Sequence, residues 1–147
     1  MRTLDSYLKV FQPGDTVVAE DSFDQRLMVL KSGAIEVSKG GTVIKLINEP
    51  GTILGEMSYL TNGRRTAKLR AVTRCELNIL DQRLDVVIRH FPAVAEKIMT
   101  TLVERILASE QSMFELLEAN RTLQQQVERL MASSTEGKEK KHQDNKA

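Results

Sequence analysis

The sequence predicts an α+β protein in which an antiparallel β-sandwich or β-barrel is followed by helices. From residue 10 to residue 80, short runs rich in β-branched residues alternate with turn-forming groups such as QPGD, SKGG and NEPG. After residue 80, apolar residues recur with the helical period of 3.6 instead of the strand period of 2. Pro92 begins a stretch that contains no other proline and no glycine up to residue 133, so one helix of about 60 Å is possible there.

The totals restrict both the architecture and the location of any anion site. A chain of 147 residues with 41% hydrophobic content supplies one core plus an appended element. Lys and Arg number 21 against 20 Asp and Glu, so an anion site must be local rather than due to a global field. The single cysteine, Cys75, excludes an internal disulfide. Since the N-terminal residues lack an apolar signal core, we expect a cytoplasmic protein without a membrane span.

The strands and helices follow in order along the chain. The runs TVVAE, LMVLKSG, AIEVSK, TVIKLI, AKLRAV and CELNIL are predicted strands, and the Gly40-Gly41 pair predicts a hairpin turn between the third and the fourth. The run DQRLDVVIRHF predicts a short helix with Asp81 as its N-cap, and Pro92 marks the first turn of the next helix. We therefore expect a barrel with flanking helices over residues 1–91, a long helix over 92–133 and a disordered polar tail over 134–147.

The long helix carries a heptad pattern that favours a parallel coiled-coil homodimer. All but two of the a and d positions are aliphatic, the exceptions being Asn120 at an a position and Ser109 at a d position. A single asparagine at an a position favours parallel, in-register pairing. The alternative is an amphipathic helix that folds back on its own domain. For the first half of the helix, we expect both contact with its own domain and contact with a second copy. The predicted interface residues are Met99, Leu102, Ile106, Met113, Leu116, Asn120, Leu123, Val127 and Leu130.

The run GEMSYLTNGRRTA, which begins at Gly55, has the composition of an anion site. A glycine turn followed by a short helical turn exposes amide N–H groups to an anion, and the guanidinium of Arg65 can complete a phosphate clamp. Glu56 would be repelled by a phosphate, so its expected partner is a ribose hydroxyl. Phosphate plus ribose indicates a nucleotide, although arginines at strand ends are usually solvated. The acidic residues of the turn before the second strand are expected to be solvated loop charges, namely Glu20, Asp21 and Asp24.

With its flanking turns, this run resembles the phosphate-binding cassette of the cyclic nucleotide-binding domain family. The family pattern places a Gly-Glu pair before a short spacer and an Arg-(Ala/Ser/Thr)-Ala triplet, as at Gly55-Glu56 and Arg65-Thr66-Ala67. The segments FQPGD, EPGTILGE and HFP also agree, so the resemblance covers about residues 8 to 112. It implies a jelly-roll barrel that binds a 3′,5′-cyclic nucleotide, cAMP or cGMP, as a ligand, with no other cofactor.

The resemblance also implies a role for each matching residue. Arg65 would pair with the cyclic phosphate, Glu56 would hold the ribose 2′-hydroxyl, and Thr66 would contact the phosphate or a syn purine. Two strand residues would form apolar walls for the base, and two residues of the long helix would reach the base. The predicted ligand-binding residues are Gly55, Glu56, Met57, Ser58, Arg65, Thr66, Ala67, Val37, Leu46, Arg105 and Ser109.

The sequence contains no catalytic set and no metal-binding spacing. His90 and His142 lie far apart, and no helix-turn-helix follows the long helix, so neither an enzyme nor a direct DNA-binding protein is expected. The leading interpretation is a stand-alone cyclic nucleotide sensor that transmits binding to its dimer helix and to a partner protein. The alternatives are a dimeric interaction scaffold that does not respond to a cyclic mononucleotide, a receptor for a cyclic dinucleotide, or a regulatory piece of a longer protein.

Overall fold

The computed structural model describes residues 3–144 of the chain. These residues form two compact units, and the boundary between the units lies between Thr101 and Leu102. The first unit contains every strand, two short helices and the first turns of a long helix, and the second unit consists of the remainder of that helix. The first unit therefore extends past residue 91, the predicted end of the barrel domain, into the start of the long helix.

Eight strands form two antiparallel sheets, which confirms the predicted β-sandwich or jelly roll. One sheet has the strand order β1-β8-β3-β6 and the other has the order β2-β7-β4-β5. The strands are β1 (Leu8–Phe11), β2 (Thr16–Val18), β3 (Leu27–Ser32), β4 (Ile35–Lys39), β5 (Thr42–Ile47), β6 (Ile53–Leu54), β7 (Lys68–Ala71) and β8 (Cys75–Leu80). A short 3₁₀ turn, Leu4–Tyr7, precedes β1. The predicted hairpin joins β4 to β5 at Gly40-Gly41, where both φ angles are positive.

The core lies between the inner faces of the two sheets. It contains apolar residues from all eight of these strands, including Leu30, Ile35 and Leu77, which are fully buried. Gly33 allows the turn between β3 and β4 to approach the start of β8, since its φ is +93° and an added Cβ would lie 2.4 Å from the backbone oxygen of Arg74. Burial alternates along β4 and β7, whereas the first four residues of β3 are all buried.

Three helices complete the structure. α1 (Glu56–Thr61) lies between β6 and β7, α2 (Leu84–His90) follows β8, and α3 spans Pro92–Asp144. α2 begins after Arg83 rather than after Asp81, so the predicted N-cap is wrong by two residues, and the observed cap makes no side-chain hydrogen bond. The first turns of α3 bury Val94 and Ile98. Beside them, Ala93, Val94 and Lys97 line a hollow of about 350 Å³ together with Val29, Gly51 and Ile53.

The helix α3 continues well past the predicted end at residue 133. Residues 134–144 are helical to Asp144, so the prediction of a disordered tail is wrong over this range, and residues 145–147 lie outside the described part. Low hydropathy suggested disorder, but Glu, Lys and Gln are strong helix formers, and Glu136 and Lys140 have the i, i+4 spacing of a favourable ion pair. Within residues 3–144, no helix has an apolar stretch long enough to cross a membrane.

The predicted coiled-coil positions of α3 are accessible along its length. Met99 is exposed in the first unit and Leu102, the first residue of the second unit, is half-buried. The remaining seam residues are exposed, namely Ile106, Met113, Leu116, Asn120, Leu123, Val127 and Leu130. Leu107 and Phe114, which occupy b positions of the heptad, are exposed as well. The apolar stripe is therefore wider before Asn120 than after it.

Candidate functional site

The candidate site is built on a turn that only glycine fits. Gly55 caps the short helix α1 with a φ of +78°, a left-handed conformation that side chains rarely adopt. A Cβ added to Gly55 would lie 1.9 Å from Nη1 of Arg65 and 3.2 Å from the backbone oxygen of Arg26. The absence of a side chain therefore allows the guanidinium of Arg65 to lie directly against the turn.

Arg65 is the centre of this site. Its side chain is buried, with 3% exposure, and its Nη1 donates hydrogen bonds to the backbone oxygen of Gly55 at 3.0 Å and to Oγ of Ser58 at 2.7 Å. Its Nη2 donates to Oδ1 of Asp24 at 3.0 Å and to the backbone oxygen of Arg26. Burial lowers the pKa of Arg65, and the Asp24 carboxylate opposes that shift. The guanidinium therefore ties α1 to the loop between β2 and β3.

One nitrogen of this guanidinium points to a polar ligand, and a buried carboxylate lies near it. The Nε of Arg65 is buried and has no hydrogen-bond partner among residues 3–144, although a buried N–H without a partner is costly. Glu56, the first residue of α1, is only 4% exposed, and its charge acts on Arg65. Buried charged groups are rare unless they are paired, so a cation and an anion at one helix start have the character of a binding site.

Asp24 is a member of the site that the sequence did not identify. Its side chain is 18% exposed, and Oδ1 accepts hydrogen bonds from Arg65 and from the backbone N–H and Nε of Arg26. Although burial alone would raise the pKa of Asp24, the hydrogen bonds from Arg26 and the charge of Arg65 hold it well below its usual range. The expectation of a solvated loop charge is therefore wrong.

The residues around Arg65 alternate between the inside and the outside of the barrel. Arg65 and Leu69 are buried and Ala67 packs against the core, whereas Thr66 is exposed. The hydroxyl of Thr66 makes no hydrogen bond within the described residues, and Met57 on α1 is 39% exposed. The structure thus brings together Gly55, Glu56, Ser58, Arg65 and Ala67, and leaves the side chains of Thr66 and Met57 open to solvent.

The two predicted apolar walls lie on opposite faces of their sheet. Val37 of β4 lies opposite Lys45 of β5, whereas Leu46 lies opposite Glu36. Val37 belongs to the buried core, and Leu46 is 57% exposed on the side of the Glu36–Arg70 ion pair. Successive strand residues alternate faces, so the prediction that Leu46 joins Val37 in one wall is wrong.

A β-bulge in β5 explains why Leu46 faces outward instead of joining Val37. The register shifts between Val37 and Ser38, since Ser38 lies opposite Val43 and Val37 opposite Lys45, which leaves Ile44 as the extra residue. The sequence alone contains no signal for the position of this bulge.

Neighbouring side chains connect the site to other parts of the first unit. The hydroxyl of Tyr59 on α1 donates a hydrogen bond of 2.8 Å to the backbone oxygen of Gln82, just before α2, and burial raises the pKa of Tyr59. The guanidinium of Arg64 lies 4.1 Å from the centre of the exposed Phe23 ring and donates to the backbone oxygen of Asp21. The first contact joins α1 to the segment that leads to α2.

The two helix residues predicted to reach the ligand, Arg105 and Ser109, are exposed side chains of the second unit, whereas the site described above belongs to the first. Among residues 3–144, no group of three His, Cys, Asp or Glu side chains is placed to hold a metal ion.

A jelly roll with a buried arginine and a buried glutamate at one short helix defines a ligand-binding domain of the regulatory class. The model of the cyclic nucleotide-binding domain family matches residues 8–84, which is more than half of the chain. The chain therefore belongs to the cyclic nucleotide-binding domain family, and the resemblance seen in its sequence is confirmed.

The relatives of this chain include channels and an activator. The potassium/sodium hyperpolarization-activated cyclic nucleotide-gated channel 3 of Homo sapiens is 36% identical over 101 residues, which cover 67% of this chain and 13% of the channel. Channel 2 of Mus musculus is 33% identical over 100 residues, which cover 67% of this chain and 11% of the channel. The chain thus spans a small part of the length of these curated relatives.

The crystal structure of Thermus thermophilus catabolite activator protein superposes on this chain with a TM-score of 0.66 at 29% sequence identity. The match covers 77% of this chain and 56% of the activator chain. These relatives are regulatory proteins and indicate no catalytic family.

Proposed function

We propose that this chain is a cyclic nucleotide sensor that binds cAMP or cGMP at Arg65 and Glu56. The observation that carries the proposal is the buried Arg65 guanidinium, whose Nε lacks a partner within the described chain and whose Nη2 is held by the Asp24 carboxylate. A carboxylate and a phosphate oxygen accept hydrogen bonds from arginine in the same way, and both are recognised by its planar fork. Asp24 thus occupies a position that an anionic ligand would share or take over.

Each group at the site has a separate role in this proposal. Arg65 binds the cyclic phosphate, assisted by Gly55, Met57, Ser58 and the Thr66-Ala67 pair. Glu56 accepts a hydrogen bond from the ribose 2′-hydroxyl, and Val37 supplies an apolar wall for the base. Arg105 and Ser109 of the long helix remain predicted ligand-binding residues.

Binding would act on α3 through the site's hydrogen bonds. If the phosphate replaces Asp24 at Arg65, the loop between β2 and β3 loses its attachment to α1, and the ligand shifts the equilibrium by its different affinity for the two arrangements. The link from Tyr59 to Gln82 connects α1 to α2, which directly precedes α3. We infer that the output is a change in the packing of a parallel α3 homodimer, which a cytoplasmic partner protein detects.

Calorimetric titration with cAMP and cGMP tests the assignment. Arg65→Ala should weaken binding at least about tenfold, because it removes a charged hydrogen-bond partner of the phosphate. Arg64→Ala is the matched control, since Arg64 is an exposed neighbour that should leave the affinity within about twofold. Arg65→Lys keeps the charge, loses the planar fork and serves as a second variant if the alanine variant unfolds. Equal affinity of wild type and folded Arg65→Lys and Arg65→Ala would contradict the proposal.

A second candidate is a dimeric interaction scaffold that responds to no cyclic mononucleotide. It is favoured by one observation, namely that both Nη atoms of Arg65 already have protein partners. Thermal unfolding distinguishes the candidates, because a ligand that binds only the folded protein raises the melting temperature. No shift with any cyclic mononucleotide or dinucleotide would favour the scaffold, and a shift with a dinucleotide alone would identify that ligand class.

A further inference from the structure

We infer that Lys45 makes this site select a 6-oxopurine base, such as guanine, over adenine. The inference rests on the proposed nucleotide site and extends it to the identity of the base. It depends on the register of three neighbouring strands, on the position of the β5 bulge, and on the chemistry of an ammonium group.

The register places Lys45 on the inner face of its sheet. Leu69 of β7 lies opposite Val37 of β4, and Val37 lies opposite Lys45 of β5, so the three residues form one row across the sheet. Residues directly opposite each other share a face. Because Leu69 and Val37 both belong to the buried core, the face that Lys45 shares with them is the inner one.

This row continues from the phosphate-binding residue. Arg65, Ala67 and Leu69 are the inward residues of one alternating stretch, so the inner face leads from the guanidinium through Leu69 to Val37 and Lys45. A nucleotide whose phosphate binds at Arg65 and whose base covers Val37 would therefore have Lys45 at the edge of its base. Ile44, the bulged residue, directly precedes Lys45 and has no opposite residue in the register with β4.

Lys45 is available for such a contact. It is exposed, and no carboxylate within residues 3–144 forms an ion pair with it, although Glu49 lines the same hollow beside β5. Two other lysines belong to these strands. Lys68 lies opposite Ser38 and so faces outward, whereas Lys39 shares the face of Val37 but lies at the hairpin end of β4, opposite Thr42. Lys45 is therefore the lysine that the register places directly opposite Val37, beside the proposed base position.

The ammonium group determines which base is favoured. It has three donors and no acceptor, so it is satisfied by acceptor atoms alone. Guanine presents two adjacent acceptors, O6 and N7, whereas adenine presents N7 beside the N6 amino donor. An ammonium at this edge can donate to both O6 and N7 of guanine, whereas on adenine it can donate only to N7 and faces the N6 amino donor. The expected result is a preference for the 6-oxopurine.

Calorimetry of the full chain with three nucleotides tests this inference. Wild type should bind cGMP and cIMP about tenfold more tightly than cAMP, and Lys45→Met should abolish that ratio. The analogue cIMP retains O6 and N7 but lacks the 2-amino group, so it isolates the contact with Lys45. Lys68→Met is the matched control, because it removes the same charge from the outer face and should keep the preference.

Each remaining outcome overturns the inference in a recognisable way. Equal affinities for cAMP and cGMP, or tighter binding of cAMP, would leave the nucleotide site in place and remove the role of Lys45. Tight binding of cGMP with weak binding of cIMP would assign the preference to the 2-amino group. An unchanged ratio in Lys45→Met would also refute the role of Lys45, whereas no binding of any nucleotide would refute the proposed function itself.

Discussion

At the scale of single residues, the site depends on a carboxylate that competes with the proposed ligand. Asp24 holds the guanidinium of Arg65 in a buried, hydrogen-bonded position, so protein contacts already order the group that would bind the proposed phosphate. This order reduces the entropic cost of binding, but displacement of Asp24 reduces the favourable free energy that the phosphate obtains from its contact with Arg65. The affinity of the site is therefore a difference between two anion interactions with one arginine.

The Asp24 interactions predict a pH-dependent contribution to stability. The pKa of Asp24 is lowered in the folded protein, whereas an unfolded aspartate has a pKa of about 3.9. A lowered folded pKa contributes stability that is present above the unfolded pKa and is lost as the pH falls toward the folded pKa. Asp24→Asn should therefore lower the free energy of unfolding by about 1 to 3 kcal/mol at pH 7 and by less at pH 3.

Urea unfolding of both proteins at the two pH values measures this change. The control is Asp21→Asn, because Asp21 is exposed and an asparagine tolerates its φ of 60°. A difference between wild type and Asp24→Asn that is as large at pH 3 as at pH 7 would exclude the charged pair as its source.

At the scale of elements, the turn before α1 and the side chain of Arg65 are mutually dependent. Gly55→Ala should destabilise the protein in two ways, through its φ of +78° and through a Cβ that would lie 1.9 Å from Nη1 of Arg65. Gly41→Ala is the matched control, since Gly41 has a φ of +79° with nothing within 4 Å of an added Cβ. The control should cost about 1 to 2 kcal/mol for the left-handed conformation, and Gly55→Ala should cost more.

Thermal or urea unfolding gives the two free energies, and calorimetry adds a second readout. Because the added methyl group would push the guanidinium away from Gly55 and Ser58, Gly55→Ala should also weaken nucleotide binding, whereas Gly41→Ala should not. Equal losses of stability in the two variants would show that the backbone conformation alone requires the glycine.

At the scale of the whole molecule, the features that the sequence predicted are those encoded by neighbouring residues. The sequence encodes three of these features within short segments: the strand runs, the hairpin at Gly40-Gly41, and the presence of Glu56 and Arg65 in one motif. Asp24 lies 41 residues from Arg65 in sequence, and the two meet only because the barrel brings their loops together. No local pattern distinguishes such an aspartate from a solvated one.

The misplaced wall residue and the helix end have different causes. Alternation favours the apolar Leu46 for an inward position, but a bulge of one residue reverses the face of every side chain beyond it. The polarity of residues 134–144 predicts disorder, but helix propensity depends on local side-chain chemistry, and Glu, Lys and Gln favour the helix that extends to Asp144. Register and long-range pairing therefore remain the parts that require coordinates.

The exposed stripe of the second unit predicts that the chain associates with a copy of itself. The d positions Leu116 and Leu123 are 72% and 60% exposed, and burial of such side chains against a partner helix is the usual source of coiled-coil stability. Leu116→Asp combined with Leu123→Asp would place facing carboxylates in the seam of a parallel dimer. Buried, unpaired charges are strongly unfavourable, so the dissociation constant of the dimer should rise at least about a hundredfold.

Sedimentation equilibrium of the full chain measures this change, and Gln125→Asp is its control. Gln125 occupies an f position on the far side of the heptad, so a new charge there should leave the association unchanged. Because the substitutions lie in the second unit, the melting of the barrel reports separately on the integrity of the first unit. A double variant that remains as dimeric as wild type would move the self-association away from α3, and a wild-type monomer would require another partner for the apolar stripe.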